Sequence, residues 1–344
     1  MDQRKRGFRM PAEWAAHERT FISWPVRRSM HYPEDYRRIA RGYATLARAI
    51  AEFEPVTVIV NPDQAEQLKA EFDEEWIDRL VIAHDDSWVR DNGPTFLIDD
   101  FGHRAGVNWR FNAWGEKYHP WDHDDRLARV LLDRLHIRRV DASIVLEGGS
   151  IHTDGEGTLL TTEQCLLHPN RNPQLDREGI EEELKHRLHA EKIIWLKRGL
   201  SGDETDGHID NIACFAAPGK VLIQTCDDPG DENFEITREN LTRLSEATDA
   251  RGRKLEVIRI PQPPKRFYKG HRLTLSYLNF YLVNGGVILP VFGADAAASD
   301  RKAEAVLRHV FPDRRIRTID GMAIITEGGN VHCATQQMPA GPLR

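Results

Sequence analysis

Apolar positions recur at helical spacing in five stretches, 35–53, 123–137, 174–190, 234–249 and 297–310, and predict five amphipathic helices. Each is followed by a run rich in β-branched residues, at 56–60, 140–146, 192–196, 255–260 and 316–325, which suits the pleated surface of a strand. Between a strand and the next helix, four further segments break at turn residues and predict hairpins: 94–109 around Gly102, 150–162 around Gly155 and Gly157, 211–225 around Pro218-Gly219, and 277–291 around Gly285-Gly286. Units of hairpin, helix and strand fit a radial repeat better than a doubly wound sheet, which has no hairpins. The expected fold class is α/β, a five-bladed α/β propeller of these units around a central site, with residues 1–344 forming one domain. In such a fold strand ends from every unit approach the axis, so residues far apart in sequence can share one site.

A weaker internal echo supports the repeat. Leu146-Glu-Gly-Gly-Ser-Ile-His-Thr153 and Thr326-Glu-Gly-Gly-Asn-Val-His-Cys333 agree in chemistry at nearly every position, which sets Thr153 opposite Cys333.

Composition narrows the function classes. No apolar run approaches the length needed to span a bilayer, and the basic N-terminus lacks the apolar stretch of a secretory signal, so a soluble, cytoplasmic protein is expected, with no membrane role. The four cysteines, Cys165, Cys214, Cys226 and Cys333, form no C-x-x-C pair and are expected to be free thiols. A net charge of −7 argues against a nucleic-acid surface and favours the approach of a small cation.

Three segments carry candidate chemistry. Cys333 lies between Gly328-Gly329 and the polar run Thr335-Gln-Gln337, unlike the other three cysteines, which sit in apolar or strand contexts and read as buried structural thiols. In Gly199–Asn211 a Gly-rich acidic loop leads to His208 and Asp210; on a strand starting at His208 the two would share a face, as a base beside a carboxylate, half of a metal site, or a solvated strand start. Adjacent strand residues face opposite sides, so His208, reaching over from another unit, is expected to serve Cys333 as base, with His332 and His152 structural. The stretch Asp85-Asp-Ser-Trp-Val-Arg-Asp-Asn-Gly-Pro94 adds Trp88 and Asp91. Together with Glu147 and Asp210, Asp91 makes three carboxylates near one thiol, a set suited to a planar cation because carboxylates match a guanidinium bidentately.

At these residues the chain resembles the agmatine deiminases, members of the guanidine-modifying superfamily with the five-bladed pentein propeller. The resemblance runs end to end, through Met10-Pro-Ala-Glu-Trp14, Trp24-Pro25, Trp88–Pro94, Phe111-Asn-Ala-Trp114, Leu146-Glu-Gly-Gly149, Thr161–Leu167, Asn170-Arg-Asn-Pro173, Asp206–Asn211 and Val331–Gln337. It implies that Cys333 attacks the guanidinium carbon, His208 shuttles protons, Glu147 orients His208, Asp91 and Asp210 grip the guanidinium nitrogens, and Trp88 contacts substrate. It further implies hydrolysis of agmatine to N-carbamoylputrescine and ammonia through a thiouronium on Cys333, no metal or organic cofactor, and a homodimer. Two positions depart from the family pattern: Glu327 stands where a third Gly is usual, and Ala334 replaces a larger aliphatic residue. Competing readings are a deiminase of peptidyl-arginine, arginine or aminopropyl-agmatine, an amidinotransferase, a metallohydrolase using His208 and Asp210, and a pentein kept only as a binding scaffold.

Overall fold

The computed structural model describes residues 7–341, apart from positions 67, 69, 70 and 73. All five helices form, as Tyr36–Ala51, Asp124–Arg134, Arg177–Leu188, Asn233–Glu246 and Ala297–Val310. In the first, Ile39, Tyr43, Leu46 and Ile50 follow one another at three- and four-residue steps and are all buried, the stripe an amphipathic helix needs. The third starts where the Asp176 carboxylate accepts the Gly179 N–H and stops at His189 in the left-handed conformation. No helix among the described residues is long and apolar enough to cross a membrane.

The strands form five sheets of three or four strands and one two-stranded ribbon. Four sheets are built alike: an antiparallel hairpin followed, after the helix, by a strand parallel to the hairpin's second arm. Their hairpins are Thr95–Ile98 with Arg104–Arg110, His152–Thr153 with Thr158–Thr162, Ala213–Ala217 with Lys220–Thr225, and Tyr281–Val283 with Gly286–Val291. The predicted strand at 316–325 is shorter than its apolar run: it spans Arg315–Asp320, and the Asp320 carboxylate then accepts the Met322 N–H and turns the chain into helical turns.

The fifth sheet has no local hairpin. Its first strand, Thr335–Pro339, comes from the far end of the sequence and pairs antiparallel with His17–Ser23, Phe21 facing Gln336 and Thr20 facing Gln337. Val56–Val60 and Ile77–Val81 complete it in parallel. A pairing this non-local leaves no turn signal, which is why the pattern of apolar residues shows only four hairpins.

Ahead of the first strand of every sheet sits a short turn: Val89–Asn92, Gly148–Ser150, Ile209–Asn211, Tyr277–Asn279 and residues 331–334. These five turns touch in a cycle. Gly149 N–H donates to Asp91 Oδ1 at 3.0 Å, and Glu147 Oε2 lies 3.8 Å from His208 Nε2. Asn279 Nδ2 donates to Asn211 Oδ1 at 3.0 Å, His332 N–H to Asn279 Oδ1 at 2.9 Å, and Arg90 N–H to the Cys333 carbonyl at 3.3 Å.

Apolar contacts between neighbouring sheets hold this arrangement. Phe21 of the sheet closed by Thr335–Pro339 stacks on Phe96 of the next, ring centroids 6.1 Å apart, in a cluster with Leu127, Leu131, Leu132 and Met338. Phe21→Ala is expected to cost about 3–5 kcal/mol in urea unfolding, whereas Phe101→Ala, at a ring 61% exposed, is expected to change stability by less than about 0.5 kcal/mol. Equal effects would mean that the contact between the two sheets contributes nothing special.

Candidate active site

The cycle of turns delivers Asp91, Glu147, His208, Asp210 and Cys333 to one place, all of them buried. His208 begins no strand; it precedes the one-turn helix Ile209–Asn211, which brings His208 and Asp210 to the same side by a different geometry from the one expected. Gly149 marks where they meet. A Cβ there would lie 2.7 Å from His208 Nδ1, 2.8 Å from Asp91 Oδ1 and 3.0 Å from Asp210 Oδ2. The bare glycine therefore lets two carboxylates and an imidazole close tightly on one seat that has no room for a methyl group.

Cys333 closes that seat from the fifth turn. Its thiol lies 3.4 Å from Asp210 Oδ2 and receives the Asn279 side-chain N–H at 3.1 Å. Burial, then the charges of Asp210 and Asp91, push the thiol well above its ordinary range, so the empty site holds neutral sulfur.

The carboxylates differ by their partners. Burial works against the charge on Glu147, but Arg171, donating from Nε at 2.7 Å, outweighs it and leaves the carboxyl at about 2. Burial likewise opposes Asp210, and the hydrogen bond and charge of His332 hold it below the usual carboxylate range. Asp91 accepts only the Trp114 indole N–H at 2.9 Å and the Gly149 N–H, and burial lifts it to about 6. His208 resists burial through Asp91, with Nδ1 3.7 Å from Asp91 Oδ1, and through Cys165 and Glu147, so its ring is pushed well above the ordinary histidine range and carries a proton at neutral pH. Asp210 Oδ1, Glu147 Oε2 and both ring nitrogens of His208 have no hydrogen-bond partner among the described residues. Unpaired buried polar atoms clustered at one point are a mark of a site built for something else to complete.

A cavity opens from Asp91 and Cys333 toward solvent, lined on its way out by Trp88, Trp114, Tyr118, Asp86, Glu204 and Glu327. Asp210, Glu147 and His208 stand behind its inner wall. Trp88 is thus in the cavity as expected, with Gly329 opposite: a Cβ on Gly329 would be 2.6 Å from the Trp88 ring and 2.9 Å from Cys333 Cβ.

Several functional neighbours escaped the sequence reading. Arg171 and Trp114 lie in segments that read as ordered motifs without roles, and Asn279 gave no signal at all. Cys165, read as a structural thiol, is buried, but its sulfur, a Glu147 oxygen and a His208 nitrogen lie within 4.8 Å of one another, a set of metal-ligand type. His332 faces no opposite side of a strand, because residues 331–334 are a turn; its Nδ1 bonds Asp210 Oδ2 at 3.0 Å. The repeat-related residues also part company. Glu147 is fully buried beside His208, whereas Glu327 lies in the cavity wall, where it accepts the His31 N–H at 2.8 Å.

A buried thiol, paired carboxylates and a protonated imidazole thus meet at one point. Residues 9–339 match the Porphyromonas-type peptidyl-arginine deiminase family, and the chain belongs to it. It is 45% identical to the agmatine deiminase of Stutzerimonas stutzeri (strain A1501), over 99% of this chain and 98% of that protein. Among solved structures it is similar to the agmatine deiminase of Enterococcus faecalis, with 36% identity, a TM-score of 0.90 and coverage of 97% of this chain and 96% of that one. It is also similar to a cysteine-to-serine variant of C. jejuni agmatine deiminase with substrate bound, with 27% identity, a TM-score of 0.89 and 98% of each chain covered.

Because three functional atoms surround Gly149, Gly149→Ala is expected to lower deiminase kcat/KM by about a hundredfold while the protein stays folded by circular dichroism. Retained activity would show that the seat has room to spare.

Proposed function

We propose that the chain is an agmatine deiminase, hydrolysing agmatine to N-carbamoylputrescine and ammonia. The observation that carries this reading is the charge along the cavity. Its inner end has Asp91 with Asp210 behind, its outer part has Glu204, Glu327 and Asp86, the last two raised by burial, Asp86 to about 7, so that a bound cation favours their charged forms, and no Lys or Arg is among the described lining residues. His31 is the one basic residue there, and its Nε2 is 3.7 Å from Glu204. A guanidinium inside and an ammonium outside suit both ends, whereas the α-carboxylate of arginine would meet acids and no cation.

In this reading the guanidinium sits over Gly149 between Asp91 and Asp210, stacked beside Trp88, and neutralises the charges that keep the Cys333 thiol protonated. The thiol then releases its proton to solvent through the cavity, to be regained when the C–S bond later breaks, and the sulfur attacks the guanidinium carbon. His208, protonated and held by Glu147 and Asp91, gives its proton to the departing nitrogen, and ammonia leaves. The neutral imidazole takes a proton from water, which attacks the thiouronium carbon; the C–S bond breaks and returns Cys333. Asn279 steadies the sulfur throughout, by its 3.1 Å contact.

We read the five sheets as blades of a pentein propeller, the whole chain as one catalytic unit, and the enzyme as a cytoplasmic homodimer whose partner molecule is a small cationic guanidino compound. The alternation of hairpin, helix and parallel strand, and the cycle of turns, support the propeller.

Two measurements test the reading. Cys333→Ala is expected to abolish ammonia release yet still bind agmatine, and wild-type protein quenched during turnover should carry an amidino adduct on the Cys333 peptide; an adduct on Cys165 relocates the nucleophile. Agmatine is expected to exceed L-arginine in kcat/KM by about a hundredfold or more, and a panel in which arginine, a peptidyl-arginine or aminopropyl-agmatine wins changes the substrate.

The pH profile is a separate prediction. Asp91, at about 6 in the free protein, is charged above that pH and neutral below it. Hence kcat/KM should fall as pH drops through about 6, and kcat less, because bound cation favours the ionised carboxylate. A kcat/KM flat down to pH 5 would remove Asp91 from the guanidinium seat.

A further inference from the structure

One motif found in the sequence, Met10-Pro-Ala-Glu-Trp14, has no part in the chemistry above, and its only acid, Glu13, is buried. Beneath the cycle of turns, Glu13 collects the two histidines related by the internal repeat. His332 Nε2 lies 2.8 Å from Oε1 and His152 Nε2 3.5 Å from Oε2, while Arg90 Nη1 stands 3.6 Å from Oε1. The other nitrogen of His332 bonds Asp210 Oδ2, the same oxygen that lies 3.4 Å from the Cys333 sulfur. The main chain of His332 is fixed as well, its N–H on Asn279 and its carbonyl accepting Arg90 Nε at 3.3 Å.

Each ring nitrogen of His332 therefore meets a carboxylate, and a carboxylate only accepts. A neutral imidazole has one N–H and would leave one of the two contacts as lone pair against lone pair; an imidazolium satisfies both. Two buried acids are also balanced in charge when His332 between them is a cation and Arg90, 3.6 Å from Glu13, is the second.

We propose that Glu13 holds His332 as a buried cation, and that this cation is the positioning residue that keeps Asp210 ionised and turned, with Oδ2 on His332 and the sulfur and Oδ1 left free for the guanidinium. The role in turnover rests on the deiminase reading given above. The groups that face this pair agree with the assignment. Burial opposes charge on both Glu13 and His332; for Glu13, His332, His152 and Arg90 outweigh it, and for His332, with Arg90 also opposed, Glu13 and Asp210 do so. Asp210 additionally sees His208 on one side and the Asp91 and Asp203 carboxyls and Cys333 on the other, while Cys214 lies near Glu13.

The substitutions distinguish positioning from mere packing, because an Asn amide reaches where Nδ1 does and a Gln amide where Nε2 does. His332→Asn keeps a donor toward Asp210, and His332→Gln keeps one toward Glu13 only. Expected are a loss in kcat/KM of about a hundredfold for His332→Ala, partial recovery in His332→Asn and none in His332→Gln. The loss should fall mainly on KM. Without the cation Asp210 protonates more readily, so the acid limb of kcat/KM should move up by about one pH unit or more in His332→Ala and Glu13→Gln. Independently of turnover, 15N spectra of histidine-labelled, substrate-free protein should show His332 protonated at both nitrogens at neutral pH, and Glu13→Gln should move its titration to lower pH. The imidazolium signature supports the Glu13–His332–Asp210 link even if wild-type protein releases ammonia from no guanidine, an outcome that overturns the deiminase reading alone. A neutral His332 in the wild type overturns the proposal. So do three His332 variants with unchanged KM and pH profile that differ from wild type only in melting temperature.

Discussion

Buried charge has to be balanced from within, and the centre of this protein is arranged around that requirement. An uncompensated carboxylate away from water costs several kcal/mol, yet Glu13, Asp91, Glu147 and Asp210 are all buried within one cycle of turns. Arg171 answers Glu147, and His332 stands between Glu13 and Asp210. Asp91 has two N–H donors and meets its cation, His208, only at 3.7 Å, and it is the acid lifted to about 6. The weakest compensation is therefore localised at one oxygen-lined seat rather than spread through the interior. That is what allows a bound cation to complete the structure, and it explains why the turns before five strands, not loops at the rim, carry the chemistry.

The same acids bear on the thiol. Asp91 and Asp210 oppose ionisation of Cys333, and under the proposed mechanism a guanidinium between them would lift that opposition. Reactivity is then tied to occupancy: the sulfur is a poor target for stray electrophiles and becomes strong only beside the carbon it is meant to attack. Selection at the mouth works by a different means. In the proposed reading Glu204 and Glu327 would reject a negative tail by repulsion rather than by shape, which is how a cavity can tell agmatine from arginine when the guanidino ends are identical.

How much of this could be read from residues alone varies with the range of the contact. Helices were legible because a stripe such as Ile39, Tyr43, Leu46 and Ile50 repeats within sixteen residues, and the four hairpins because their turns are local. The pairing of Thr335–Pro339 with His17–Ser23 was not, since nothing near either strand points to the other. Cys333, His208, Glu147, Asp91 and Asp210 were singled out by chemistry and motif, and they do come together, but the strand argument attached to two of them was wrong. His208 and residues 331–334 lie in turns, where alternation of faces does not hold. Asn279 and the link from Glu13 to His332 were hidden for a further reason: a polar side chain shows its partner only after five separate turns have been closed on one another.

The strand that completes the fifth sheet follows Cys333 after one residue, Ala334, and comes after every other described strand in chain order. Its pairing with His17–Ser23 joins segments far apart in sequence, and the turn carrying Cys333, tied to Asn279 and Arg90 on one side, is continued by it on the other. Removing Thr335–Pro339 would therefore bare the edge of His17–Ser23 and loosen the thiol together.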